Sequence, residues 1–408
     1  VTRAAAGRTA GRRSRGARAD VAVVGGGVVG AACALALARL DLDVTLVDAA
    51  APSPWSAAVP DLRVYAFAPD NAALLETLGV WARVREERLQ PYRHMRVWDA
   101  AGGGELHFDA DALGRRELGW IVEHGLLVDR LWAALPQAGV DVRAPLRVEG
   151  LEQDAEGARL RFDDGSRLEA RLAIAADGAD SALRALSGAE VAAHDYAQRG
   201  VVAFVETERP HEETAWQRFL PDGPLAFLPF AGGRASTCSS IVWTLPQARA
   251  AEVLALDDEA FSHALTRAFD ARLGQARPLS RRVAFPLRRQ LTDRYQLGRV
   301  LVMGDAAHVV HPLAGQGVNL GLRDVAALRE TIAAALARGA DWSSPSRLAR
   351  WARTRKSENA VAAWSFDGIN RVFSSDGLRR TLLRGALLGL AGKLPPVTAA
   401  LWRRAAGS

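Results

Sequence analysis

Three short apolar runs, Val21 to Val24, Leu172 to Ala176 and Val300 to Met303, lack polar alternation and end in small or acidic residues. Such runs predict strands buried on both faces of a parallel sheet, with ligand-binding turns at their carboxyl ends. After the first run, Gly25-Gly-Gly27-Val-Val-Gly30 opens an Ala- and Leu-rich stretch to Leu40, and Val44 to Val47 supplies the next strand. After the third, Leu320, Val325, Leu328, Ile332 and Leu336 recur at helical spacing, predicting a helix from Gln316 to about Arg338. Between residues 190 and 290 the signals become antiparallel: strands are expected over Gly200 to Glu206, Trp216 to Leu220, Leu225 to Phe230, Ser236 to Thr244 and Arg282 to Leu287. A helix from Asp258 to Leu273 is expected among them, and helices over Pro345 to Asp367 and Leu378 to Leu394 close the chain. The fold class is α/β: a doubly wound nucleotide-binding domain, an inserted and mainly antiparallel β-sheet domain, and a helical C-terminus. The expected boundaries are a disordered basic tail at 1–19, a discontinuous nucleotide domain at 20–100, 150–190 and 288–345, an inserted domain at 101–149 and 191–287, and C-terminal helices at 346–408.

The turns carry the chemistry. Gly25 permits a tight turn, Gly27 lets bare backbone approach a pyrophosphate at the helix start, and Gly30 lets helix and strand pack closely. Asp48 ends the second strand, where a carboxylate accepts from adenosine ribose hydroxyls and repels a 2′-phosphate, so the nucleotide is FAD or NAD. Asp177-Gly178 follows the second apolar run and leads into Ser181 and Arg184, a composition also common in plain turns. Asp305 emerges after the third run, and His311-Pro312 delays the helix that begins near Gly315 and Gly317. The free N–H groups of that helix start would stabilise negative charge on a reduced flavin, which points to FAD.

Taken in order, GxGxxG, DGxxSxxR and GDAAHxxHPLAGQGxN resemble the single-component, FAD-dependent aromatic hydroxylases of the para-hydroxybenzoate hydroxylase type. Through His311-Pro-Leu-Ala-Gly-Gln-Gly-Val-Asn319, Asp61-Leu-Arg63-Val-Tyr-Ala66 and Tyr92-Arg-His-Met-Arg-Val-Trp98-Asp99, the chain is similar to the hydroxylases of ubiquinone biosynthesis. The resemblance implies ring hydroxylation of a prenylated phenol, with bound FAD, transient NADPH or NADH, and O2. It implies that Asp305 binds the flavin ribitol, that Gly315, Gly317, Val318 and Asn319 lie beside the flavin ring, and that Pro312 lines the reaction side. Arg63 would contact FAD phosphate or the reducing nucleotide. Tyr65 and Phe67 stand where the family has smaller residues. Trp216, Phe227, Leu228 and Trp243 are candidates for an apolar substrate wall, or for plain core. His308 and His311 are read as bracing the loop rather than as catalytic or metal-ligating residues, and no metal site is expected.

Composition narrows the classes. The formal charge of +6 resides in six arginines before residue 19, and the rest of the chain balances 46 basic against 46 acidic residues, so no nucleic-acid footprint is expected. Cys33 and Cys238 form no paired spacing, which excludes a flavin disulfide reductase and implies a reducing compartment. No uncharged run is long enough to span a bilayer. A cytoplasmic protein is expected, with Arg379, Arg380 and Arg384 on a terminal helix as a means of peripheral contact at the inner face of a membrane. The rivals are a FAD-dependent polyprenyl reductase of the same fold and a non-catalytic FAD-binding subunit of a quinone-biosynthesis complex.

Overall fold

A computed structural model of the protein describes residues 18–100, 104–232, 236–310 and 317–373. The chain opens with β1 (Arg18–Val24), α1 (Val28–Ala38) and β2 (Val44–Val47), the βαβ unit that the apolar pattern predicts. It continues through β3 (Val64–Phe67), α2 (Pro69–Thr77), the hairpin β4 (His94–Asp99) and β5 (Glu105–Asp109), β6 (Gly119–Glu123), α3 (His124–Ala134), β7 (Asp141–Arg143) and β8 (Arg167–Ala175). Then follow β9 (Val191–Thr207), β10 (Thr214–Leu220), β11 (Gly223–Pro229), β12 (Cys238–Pro246), α4 (Gln247–Ala255), α5 (Asp258–Ala268), β13 (Val283–Thr292), β14 (Val300–Val302), α6 (Gly317–Leu336) and α7 (Pro345–Phe373).

Parallel pairing gives the order β14-β8-β1-β2-β7. Helix α1 is buried nearly all round, because it lies on this sheet and also meets α3 and α6. That is why its sequence is apolar rather than amphipathic. The second sheet runs β13-β9-β12-β11-β10-β4-β5 and is antiparallel except where β10 pairs with β4. One face of it is sealed by α5, whose Phe261, Leu265 and Phe269 join a core with Trp98, Trp216, Phe227 and Trp243. The other face looks toward the nucleotide domain.

This arrangement decides between wall and core for the aromatic candidates and moves the domain boundaries. Trp216, Phe227 and Trp243 belong to the helix-covered core, with Phe227 stacked on Phe269 at a ring separation of 3.8 Å. Leu228 faces the other way, into a cluster with Phe204 and Phe230, and does not line the cavity described below. Strand alternation decides both outcomes, since neighbouring side chains point to opposite faces. The domain boundaries also shift. β4 pairs into the second sheet although it was assigned to the nucleotide domain, whereas α3 and β7 pack and pair with the nucleotide domain. Strand β1 begins at Arg18, inside the expected tail, and its first residues are ordered by pairing with Glu169 and Ala170. The expected helix over Leu378 to Leu394 lies outside the described residues, as does the rest of the basic tail.

Candidate functional site

The Gly25 turn leaves β1 with φ +105°, and a Cβ there would stand 2.3 Å from the Ala176 carbonyl oxygen. A Cβ on Gly30 would meet the Gly25 carbonyl oxygen at 1.9 Å, so only glycine allows the helix this close to the strand. Gly27 caps α1 in extended conformation, and nothing lies within 4 Å of the position its Cβ would take. This is a cradle of bare backbone with open space before a helix N-terminus, and it fits a dinucleotide pyrophosphate. Asp48 reaches back into the loop: its Oδ2 accepts from the Gly26 N–H at 2.5 Å, and its Oδ1 from the Ala50 N–H at 2.9 Å. Trp132 on α3 donates its indole N–H to the Gly26 carbonyl at 2.6 Å, a brace that no motif signals.

The second motif is bound to the third. Asp177 accepts from the Ser181 hydroxyl and, at 3.2 Å, from the Leu183 N–H, so its carboxylate builds its own turn. Gly178 leaves open backbone beside it. Arg184, buried, donates to the Ala306 carbonyl at 2.8 Å and thereby fixes the short 3-10 turn Gly304–Ala306 that carries Asp305. Arg63 comes to 3.9 Å from Asp305, both side chains about half exposed, so the two converge on one rim.

Asn319 stands in the first turn of α6. Its side chain turns to the protein: Oδ1 accepts from the Ala68 N–H at 3.0 Å and from Asn71 at 2.9 Å, while Nδ2 donates to the Ala66 carbonyl at 2.8 Å. The buried amide bolts α6 to β3 and α2. Only its backbone, in the first turn of α6, remains for a ligand. Gly317 and Val318, in that same turn, line the cavity. Pro312, Gly315 and His311 lie outside the described residues.

Asp305, Arg63, Tyr65, Gly317 and Val318 border a cavity of about 1630 Å³ whose opposite wall is Val202, Phe204, Val242, Val283 and Phe285 of the second sheet. Tyr65 and Phe67 find local roles: Phe67 stacks on Trp81 at 5.4 Å, and the Tyr65 hydroxyl bonds His124 Nδ1 at 2.9 Å. Burial and the nearby Arg63 guanidinium push His124 down to about 4, and burial raises the Tyr65 phenol well above its ordinary value, so the pair is neutral at pH 7. His308 Nε2 donates to the Asp324 carboxylate rather than facing the cavity, which is the bracing role expected of it.

The FAD-binding domain family model matches residues 18–362. The ubiquinone hydroxylase UbiL of Rhodospirillum rubrum is 37% identical, over 96% of this chain and 90% of that protein. The 3-demethoxyubiquinol 3-hydroxylase of Escherichia coli is 36% identical, over 88% of this chain and 90% of that protein. The chain belongs to the FAD-binding domain family, among the ubiquinone-biosynthesis hydroxylases. Its fold is that of p-nitrophenol 4-monooxygenase PnpA from Pseudomonas putida, with a TM-score of 0.75 at 20% identity, covering 94% of this chain and 96% of that one. FAD is the cofactor of this family member, NAD(P)H is its co-substrate, and its activity class is aromatic-ring monooxygenase. No helix among the described residues is long and apolar enough to cross a membrane.

Proposed function

We propose that this protein hydroxylates the aromatic ring of a polyprenylphenol intermediate of ubiquinone biosynthesis. The observation that carries the substrate class is the cavity's shape. It runs from the Asp305 turn along an apolar wall to an open rim, where Val59, Leu279 and Phe285 are 73%, 51% and 40% exposed. A hydrophobic tail can leave the site over these apolar side chains, with Ser280 and Arg281 beside them, and an aqueous phenol would not need such a rim. Peripheral contact with a lipid surface is part of this reading, since such a tail resides in lipid, and Arg281 on the same cavity lining would favour anionic headgroups.

Bound FAD would supply the chemistry, taking electrons from NAD(P)H and activating O2 for transfer to an electron-rich ring. The chain's own residues then have separable tasks. Gly25, Gly27 and Gly30 would shape the pyrophosphate seat, and Asp48, which holds its loop through both carboxylate oxygens, would accept from the ribose hydroxyls. Asp305 and Arg63 would grip the ribitol and phosphate from the rim. The backbone N–H groups of Gly317 and Val318, at the positive end of α6, would stabilise negative charge on a reduced flavin bound there. Val202 and Phe204, both buried on the wall across from Asp305, would exclude water beside the ring and keep the oxidant for the substrate. Purified FAD-loaded protein should consume O2 with NADPH and a short-tailed prenylphenol, and the product should gain one oxygen by mass. Saturation of the tail without O2 uptake would instead identify a polyprenyl reductase. Protein that stays oxidised with every candidate phenol would identify a structural subunit.

A further inference from the structure

Away from the cavity, the β4–β5 hairpin forms one edge of the second sheet. Its register places His94 opposite Asp109 and Arg96 opposite His107. Residues 107 and 109 share one face of β5, and His94 faces Asp109 across the pair, so all three side chains gather on one side of the hairpin. His94 Nδ1 stands 3.5 Å from Asp109 Oδ2, the two imidazole rings are 5.5 Å apart, and the three potential ligand atoms lie within 4.8 Å of one another.

Two details separate this cluster from a chance surface pair. Asp109 Oδ1 is held by the N–H groups of Asp111 at 2.7 Å and Ala112 at 3.3 Å, so the carboxylate is fixed and Oδ2 is the oxygen left to face His94. His94 Nδ1 is itself buried and has no hydrogen-bond partner. The neighbouring cation Arg96 is drawn aside by Glu105 at 3.5 Å and lies over the Trp216 ring at 5.3 Å.

We propose that His94, His107 and Asp109 form a binding site for a divalent transition-metal ion of the zinc class. Two imidazole nitrogens and one carboxylate oxygen suit that borderline-soft ion better than calcium or magnesium, which prefer all-oxygen shells. The spacing agrees: two ligands each about 2.1 Å from a tetrahedral zinc ion stand about 3.4 Å apart. The His94–Asp109 pair is already at that separation, and only the exposed His107 ring must swing inward. Water would complete the shell. None of the three residues lines the cavity, so the ion would staple a sheet edge and take no part in hydroxylation.

The test uses the FAD-loaded enzyme after chelator treatment, titrated with zinc chloride by calorimetry alongside His107→Ala and Asp109→Asn. His107 is exposed, so its variant should retain FAD and wild-type hydroxylation. The expected result is one zinc ion per chain in the low micromolar range, a thermal midpoint that rises with zinc, and at least tenfold weaker binding in both variants. Magnesium should not compete. Absence of saturable one-to-one binding overturns the proposal, and so does equal binding by wild type and both variants, which would place the ion elsewhere.

Discussion

His308 Nε2 lies 2.6 Å from Asp324 Oδ2, and neither side chain is exposed at all. Asp324 also accepts from Arg355 at 2.8 Å, Asn359 at 2.9 Å and the Gly304 N–H at 3.2 Å, so one carboxylate on α6 ties α7 to the turn that carries Asp305. Burial by itself would raise this carboxyl; His308 beside it, with Arg355 and Asn359, outweighs burial and holds it below the ordinary carboxylate range. A depressed folded-state pKa contributes stability that is present above the unfolded value, about 4, and is lost as pH falls through the folded one. Asp324→Asn removes the buried carboxylate shared by His308 and Arg355, leaving Arg355 only the exposed Glu358 as an anionic partner, and should cost about 3–5 kcal/mol at neutral pH. Urea unfolding should show this loss shrinking in strong acid, and FAD should dissociate more readily from the variant. A variant as stable as wild type at neutral pH would mean that the network carries no net stability.

Gly27 and Gly30 make opposite predictions although both belong to one motif. A Cβ on Gly30 meets backbone at 1.9 Å, so Gly30→Ala must part α1 from β1 and should lower the thermal midpoint even without cofactor. A Cβ on Gly27 meets no protein atom, so Gly27→Ala should leave apoprotein stability within about 0.5 kcal/mol of wild type. It should nevertheless weaken FAD binding at least tenfold, because the methyl group enters the space reserved for the pyrophosphate. Flavin fluorescence titration beside apoprotein melting separates the two effects.

What could be read from sequence were the positions where local pattern and geometry coincide. The apolar runs before Gly25, Asp177 and Asp305 specify buried parallel strands, and the glycine spacing specifies the turn. The motifs did not reveal side-chain partners: Asn319 lies in the first turn of α6, yet its amide bonds Ala66, Ala68 and Asn71, residues some 250 positions away. The choice between substrate wall and core was open in the sequence for a related reason. Trp216 and Phe227 are paired across β10 and β11 and share a face, but only the docking of α5 determines that this face is core. Trp132 had no signal beyond its residue type, and Arg184, although it closes the DGxxSxxR motif, gave no sign of its partner, because both donate to backbone carbonyls brought close only by the fold.

The Tyr65–His124 pair makes stability depend on mildly acidic pH. Burial, reinforced by Arg63, pushes His124 down to about 4, whereas an unfolded histidine titrates near about 6.5. The unfolded chain therefore takes up a proton that the folded chain refuses. Stability contributed by the neutral imidazole is present above about pH 6.5 and is lost as pH falls from there to the folded value. This one site predicts a slope of about 1.4 kcal/mol per pH unit at the steepest part of that window. His124→Gln should remove about one proton's worth of the slope, measured by urea unfolding between about pH 7 and about pH 4.5. Identical slopes in wild type and variant would show that the imidazole titrates alike in both states.

The cavity rim offers the sharpest test of substrate class. Leu279 and Phe285 are 51% and 40% exposed, large apolar residues in contact with solvent where a soluble enzyme acting on a small phenol gains nothing from them. If a prenyl tail crosses there, it covers part of each side chain, and complete burial of such a side chain is worth about 1.5–3 kcal/mol. Partial cover is worth roughly half as much, near tenfold in affinity. Leu279→Asp should therefore raise KM about tenfold for a long-tailed phenol while leaving kcat and the KM of a tail-free analogue close to wild type. The split between substrates matters more than either value, since a variant that merely misfolded would lose both. Equal effects on the tailed and tail-free phenols would remove the rim from the path of the tail and leave the substrate class without its structural support.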